Sequence, residues 1–161
     1  MNPGLIVLCA ALACALAGGA VWRQRNGRLR AAGAGPAEAG PADRILSSAE
    51  LGQPLGERAT LIQFSSAFCA PCRATRRVLS DVAGMTDGVA YVEIDAESRL
   101  DLVRSLNVLR TPTILVTDAA GRVVQRGSGQ PRKPDVIAAL GMAIPVNPVD
   151  KDDSDIRVRR A

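Results

Sequence analysis

Two cysteines three residues apart, Cys69 and Cys72, are the residues of this chain whose type and spacing could do chemistry. They follow an apolar run, residues 59–66, and stand at the start of a segment with helical spacing. Such a pair could be half of a metal site, a structural disulfide or a couple that exchanges electrons. A helix N-terminus and nearby arginines, beginning with Arg73, stabilise an anion, so this position favours a reactive Cys69 thiolate. We therefore interpret the pair as redox-active.

Composition argues against the other two kinds of site. A structural zinc site needs about four Cys or His ligands, and the chain has no histidine and only four cysteines. The other two, Cys9 and Cys14, lie in an apolar N-terminal run, where an intermolecular zinc or iron–sulfur site stays a minor alternative. A structural disulfide across so short a loop would remove little chain entropy from the unfolded state. We predict no metal and no cofactor.

The N-terminal run is long enough to cross a bilayer. Residues 4–22 carry no charge, and as a helix they would span about 28 Å, close to the thickness of the hydrocarbon layer. We interpret residues 1–24 as a transmembrane anchor. A cleaved signal peptide, or a lipoprotein signal ending at Cys14, is the alternative, but no Lys or Arg precedes the run, as a signal peptide requires.

The charges around this run predict its orientation. Four arginines follow it closely: Arg23, Arg25, Arg28 and Arg30. The positive-inside rule then places the rest of a single-pass cell-membrane protein in the cytoplasm, with an extracytoplasmic domain as the alternative. The formal net charge is +4, but aromatic residues make up only 2% of the chain. Few of them are interleaved with the arginines, so we predict no binding to nucleic acid.

The remaining chain divides by composition. Residues 25–44 read as a basic juxtamembrane segment and flexible linker, and residues 145–161 as a disordered charged tail. Residues 45–144 hold the periodic apolar segments of a single domain in the order βαβαββα. This order predicts an α/β fold in which helices flank a central mixed sheet of about four strands. The strands are predicted at 59–66, 88–95, 113–118 and 121–127.

Two motifs resemble the thioredoxin family. The segment FCAPCR, residues 68–73, is similar to the WCGPCK-type active-site segment of that family. Arg110-Thr111-Pro112-Thr113 resembles its loop with a cis-proline opposite the cysteines, and Asp95 ends the middle strand at about the family's spacing. The resemblance covers roughly residues 47–144 and implies a thioredoxin-like fold.

The resemblance also implies roles for individual residues. Cys69 would be the catalytic nucleophile and Cys72 the resolving thiol, and together they would form a redox-active disulfide. A substrate groove would be formed by five residues: Phe68, Ala70, Pro71, Thr111 and Pro112. The expected activity is that of a protein-disulfide oxidoreductase in cell redox homeostasis. Its expected partners are protein disulfide substrates, an electron-donating reductase and the membrane, through the N-terminal helix.

The chain departs from the family at positions that matter for proton transfer. Gln63 stands where many thioredoxins carry a buried Asp, Tyr91 near the usual Lys, and Phe68 in place of Trp. Glutamine cannot accept a proton at neutral pH, and Glu93, two residues from Tyr91 on the same strand face, could replace the missing acid or could be a solvated surface residue. A non-catalytic redox sensor or protein-docking module therefore stays an alternative function.

Overall fold

The computed structural model describes residues 3–32 and 44–145. Its centre is a five-stranded mixed sheet in the order β1-β5-β4-β2-β3. The strands are β1 (Arg30–Ala31), β2 (Ala59–Ser65), β3 (Val89–Asp95), β4 (Thr113–Asp118) and β5 (Val123–Ser128). β2 is parallel to β3 and antiparallel to β4. The predicted fold class is confirmed, with five strands instead of about four.

The helices are α1 (Pro3–Arg25), α2 (Ser48–Leu51), α3 (Ala70–Gly84), α4 (Leu100–Ser105) and α5 (Lys133–Ala143). Helices α2 to α5 cover the two faces of the sheet. Every residue of β2 is buried, and its side chains alternate between two apolar clusters. Leu61 joins the cluster with α3 and α5, and Ile62 joins the one with α2 and α4. This burial on both faces fixes β2, and with it the position of the cysteines that follow.

Helix α1 meets the length and composition requirement of a membrane span. Its window Pro3–Val21 has a mean hydropathy of 2.4, and none of it is buried against the rest of the chain. It is the one such helix in residues 3–32 and 44–145. A signal sequence near an N-terminus has the same properties, so the finding fixes neither retention nor the side of the membrane.

The segment after α1 contains a strand that was not predicted. Residues 25–44 were expected to form a basic juxtamembrane segment and a flexible linker, and the part from Gly27 to Ala32 lies along the edge of the sheet. The Gly27 N–H donates to Ser128 O at 2.8 Å, and the Ala32 N–H donates to Val124 O at 3.0 Å. β1 is only two residues long and is held by main-chain hydrogen bonds, so its side chains show no periodic pattern. For this reason the sequence gives no sign of β1. The rest of the predicted linker, 33–43, and residues 146–161 of the predicted tail lie outside the described residues.

Two glycines, one in β5 and one just after it, make room for residues 26–29. A Cβ added at Gly127 would lie 2.8 Å from Arg28 O and 3.0 Å from Leu29 Cδ2. Gly129 has a φ of +88°, and a Cβ there would clash with the Asn26 side chain. The contact is therefore close enough that a single methyl group on β5 tests it.

We predict that Gly127→Ala lowers the free energy of unfolding by about 1–3 kcal/mol, because the added methyl overpacks the contact between β5 and residues 28–29. Chemical denaturation of the full chain in detergent, followed by circular dichroism, measures the change. Gly141→Ala is the matched control: it lies in α5 with open space around it, so it should stabilise by up to about 1 kcal/mol. A Gly127→Ala variant at least as stable as wild type would show that the segment is not packed there.

Candidate active site

The two cysteines lie at the junction between β2 and α3. They form a disulfide with an S–S distance of 2.03 Å and Cα atoms 5.2 Å apart. Cys69 is the N-cap residue of α3, and its Sγ accepts a hydrogen bond from the Cys72 N–H at 3.1 Å. Cys72 is only 3% exposed, whereas Cys69 is half-buried. The first sulfur thus stands where unpaired N–H groups of the helix favour negative charge.

The loop before β4 lies opposite this junction. β2 and β4 are antiparallel, with Phe64 paired to Thr113, so the end of one strand meets the start of the other. The Thr111–Pro112 peptide bond is cis. The Thr111 and Ser66 hydroxyl groups are hydrogen-bonded at 3.0 Å. The structure therefore brings Thr111 and Pro112 to the same end of the sheet as the cysteines.

The remaining predicted groove residues form the exposed rim of the site. Phe68 is 99% exposed, so its ring contributes nothing to the core. Ala70 and Pro71 are also exposed, in the first turn of α3. Proline is tolerated there because the first N–H groups of a helix have no intrahelical acceptor.

Behind Cys72, a buried amide replaces the acid that the family resemblance leads one to expect. The Gln63 side chain is fully buried, and its Nε2 donates to Cys72 O at 3.0 Å. The Tyr91 hydroxyl donates to Gln63 Oε1 at 3.0 Å. Both ends of the amide are thus occupied, and neither can take up a proton. Gln63 joins α3 to the sheet and does no acid–base chemistry.

Tyr91 is held in its neutral form. Burial, together with the nearby charge of Glu93, raises the pKa of Tyr91 to about 12. The phenol therefore stays protonated over the whole physiological range, and its O–H remains available to donate to Gln63.

Glu93 lies beside Gln63 on the neighbouring strand. The two residues are register partners in the parallel pair β2–β3. Glu93 Oε1 accepts a hydrogen bond from Arg76 Nη2 at 2.7 Å, and the Glu93 side chain is 23% exposed. This contact raises the pKa of Arg76. Glu93 is therefore half-buried and ion-paired, not the freely solvated residue of the alternative interpretation.

A cavity connects Glu93 with the cysteines. Its volume is about 460 Å³, and both Cys69 and Cys72 line it together with Arg76 and Glu93. Asp95, noted in the sequence only as the end of a strand, also lines it. Sequence reasoning missed Ser66; it noted Arg76 as one of the arginines that follow Cys72 but did not predict its contact with Glu93. Within residues 3–32 and 44–145, no group of three or more His, Cys, Asp or Glu could hold a metal ion.

The family model named Thioredoxin matches residues 46–141, more than half of the chain. The chain belongs to the thioredoxin family. Membership and the Cys69–Cys72 pair support a function of the thiol–disulfide oxidoreductase type.

Among curated proteins, this thioredoxin is similar to parts of two. It is 28% identical over 67 residues to "Thioredoxin H2-1" of Oryza sativa subsp. japonica, covering 40% of this chain and 49% of that protein. It is 31% identical over 58 residues to "Thioredoxin domain-containing protein 2" of Homo sapiens, covering 36% of this chain and 10% of that one. The chain thus matches half or less of the length of these relatives.

Solved structures support the fold. A mutant thioredoxin from Halobacterium salinarum NRC-1 has a TM-score of 0.52 and 21% identity, covering 57% of this chain and 80% of that one. A chloroplastic thioredoxin z has a TM-score of 0.50 and 24% identity, covering 62% and 91%. At these identities the likeness shows the thioredoxin fold alone.

The Tyr91 environment predicts a titration that can be read directly, because this thioredoxin contains a single tyrosine. The ultraviolet absorbance of tyrosinate should appear with a midpoint of about 12, not the ordinary 10.0. Since the folded pKa is the higher one, the associated stabilisation is complete below pH 10 and is lost as the pH rises toward 12. In urea the midpoint should return to about 10. A midpoint of about 10 in the folded chain would show that Tyr91 is not held as described.

Proposed function

We propose that this member of the thioredoxin family is a membrane-tethered enzyme that reduces or exchanges protein disulfides. Cys69 is the attacking thiol and Cys72 the resolving thiol. The observation that carries the proposal is the position of the Cys69 sulfur at the N-terminus of α3, where it accepts the Cys72 N–H. A thiolate is stabilised there, and the thiolate is the form that attacks disulfides.

The exchange has two steps. In the reduced enzyme, the Cys69 thiolate attacks one sulfur of the substrate disulfide; that S–S bond breaks, and the departing substrate sulfur takes up a proton. The Cys72 thiol then loses its proton and attacks the Cys69 sulfur, which frees the second substrate sulfur. Two electrons have passed to the substrate, and the enzyme holds the Cys69–Cys72 disulfide seen in the structure. A dithiol-bearing reductase returns the electrons.

The surroundings of the pair suit an extended peptide substrate. Thr111 and Pro112 lie across the end of the sheet from the cysteine loop, and Phe68, Ala70 and Pro71 form the rim on the other side. We assign these five residues to the substrate groove. The backbone of Thr111 supplies hydrogen bonds, and the Phe68 ring supplies apolar contact area.

Glu93 is the acceptor that we propose for the Cys72 proton. Gln63 holds the place of the usual acid but cannot titrate. Glu93 lies next to it on β3 and lines the same cavity as Cys72. A cavity of about 460 Å³ is large enough for water to carry the proton between them.

A second function, a non-catalytic redox sensor or docking module, is favoured by one observation. The closed network of Gln63, Tyr91 and the Cys72 carbonyl leaves no acid in contact with Cys72. In such a module the pair would oxidise and reduce without turnover. Multiple-turnover reduction of a disulfide with a recycling donor separates the enzyme from the module.

The trapping experiment tests the assignment of the two thiols. Cys72→Ser should accumulate mixed disulfides with partner proteins, because attack proceeds and resolution cannot. Cys69→Ser under identical conditions should trap none. Non-reducing electrophoresis and mass spectrometry read the adducts. Equal trapping, or trapping by Cys69→Ser alone, would show that the nucleophile has been assigned to the wrong cysteine.

The role of Glu93 predicts a slower second step. Glu93→Gln should slow resolution of a mixed disulfide about tenfold or more, since general-base help is typically worth about 10²–10⁴-fold and a water relay gives less. The variant should also lose the acidic limb of the pH profile of this step. Glu97 is an exposed residue in the turn that follows β3. Glu97→Gln is therefore the control and should leave the rate unchanged. An unchanged rate and profile in Glu93→Gln would remove Glu93 from the mechanism.

We place the domain on the cytoplasmic side of the cell membrane, on the basis of the four arginines after the span. In intact cells, a membrane-impermeant maleimide should leave Cys69 unlabelled in a chain whose Cys9 and Cys14 are replaced by Ser. Lysis should then allow labelling. Efficient labelling before lysis would place the domain outside.

A further inference from the structure

The chain leaves helix α1 at the same end of the sheet that carries the cysteines. α1 ends at Arg25, a turn at Asn26 and Gly27 follows, and the Gly27 N–H binds the carbonyl of Ser128, the last residue of β5. β1 then runs antiparallel to β5, away from this end. The exit of the N-terminal helix is thus fixed where β5 ends.

Contacts across the strands link this exit to the active site. Ser128 is the register partner of Thr113, and Thr113 is the partner of Phe64 near the end of β2. The Gly129 N–H donates to Pro112 O at 2.8 Å. From β1 to β2 there are three strand spacings of about 4.8 Å. The residues that follow α1 and the cysteine loop are therefore separated by about 14 Å at the same end of the sheet.

The distance from this edge to the bilayer is also short. The apolar window ends at Val21. From there to Gly27 the chain advances at most about 13 Å, with four residues at helical rise and two at extended rise. The cysteine loop therefore lies within about 30 Å of the hydrocarbon core however the domain tilts.

The chain offers no long tether that would change this distance. A flexible linker between anchor and domain would let the active site range over tens of ångströms. In the structure, however, residues 33–43 follow β1, so they come after the point where the chain has joined the sheet. The close approach of Gly127 and Gly129 to residues 26–29 fixes this junction.

The end of the sheet that carries the cysteines has exposed apolar and basic side chains, as a site beside a membrane would. Phe68 is 99% exposed and Leu109, three residues before the cis-proline, is 69% exposed. Arg73, near the start of α3, and Arg110, in the loop before β4, are also exposed. Apolar and cationic side chains together can contact a peptide segment at the point where it leaves an anionic lipid surface.

We propose that the substrate disulfide lies in the juxtamembrane segment of another membrane protein, within about 30 Å of the hydrocarbon core. The proposal rests on the function proposed above and on retention of α1 in the membrane. The exchange chemistry is unchanged, and the position of the anchor restricts which disulfides Cys69 can reach.

The test measures reduction at two heights above the membrane. The full chain, reduced beforehand with a dithiol that is then removed, is reconstituted in vesicles with a single-span reporter. A rigid helix raises the reporter's disulfide about 10 Å or about 50 Å above the bilayer. The near disulfide should be reduced at least about tenfold faster than the far one, because only the near one lies within reach of Cys69 when both chains are held in the membrane. In detergent the two rates should be equal.

Two insertions of the same flexible sequence identify the tether. About twenty Gly/Ser residues placed between Arg25 and Asn26 should let the domain reach both reporters and abolish the preference. The same insertion between Gly40 and Pro41 is the matched control and should keep the preference, since it follows β1. Loss of the preference in both variants would show that residues 25–44 act as one linker and would overturn the inference.

The outcomes separate this inference from the function on which it rests. Equal reduction of near and far disulfides in vesicles by the wild-type chain would contradict a membrane-restricted substrate and leave the oxidoreductase function in place. Failure to reduce either reporter, together with failure to reduce a small soluble disulfide, would contradict the oxidoreductase function itself.

Discussion

The hydrogen bond from the Cys72 N–H to the Cys69 sulfur is the interaction on which the site depends. It exists because β2 is buried on both faces and ends where α3 begins, so that Cys69 becomes the N-cap of that helix. A sulfur that caps a helix is placed among N–H groups that favour its anion. The same junction buries Cys72 and leaves Cys69 accessible from the cavity side. Geometry alone therefore distinguishes the two thiols.

Gln63 shows how a family site can keep its architecture while changing its proton chemistry. An uncharged amide in this fully buried place avoids the cost of a buried carboxylate without a partner. Its two hydrogen bonds, to the Cys72 carbonyl and from Tyr91, instead hold α3 against the sheet. Glu93, on the neighbouring strand, lines the same cavity as Cys72 and forms an ion pair with Arg76. We propose that proton transfer belongs to Glu93, whereas Gln63 serves packing.

The domain could be predicted from sequence because β2, β3 and α3 have strong apolar patterns. The cysteine pair could be predicted because it occurs at a strand–helix boundary. The contacts of Ser66 with Thr111 and of Arg76 with Glu93 could not, since they join residues 45 and 17 positions apart. β1 could not either, because it is two residues long and its pairing uses main-chain groups. That strand changes the relation of anchor to domain, which composition alone presents as a loose tether.

The pH dependence of alkylation tests the central claim, that the helix N-terminus makes Cys69 the reactive thiol. The reduced full chain is treated with iodoacetamide from pH 5 to pH 10, and mass spectrometry locates the label. The account predicts that Cys69 reacts first, with a midpoint below the 8.5 of a free cysteine, while Cys72 reacts slowly throughout. Replacement of Arg73 by Gln should shift that midpoint only slightly if the helix, and not this arginine, stabilises the thiolate. Equal reactivity of the two cysteines, or a Cys69 midpoint at or above 8.5, would contradict the claim.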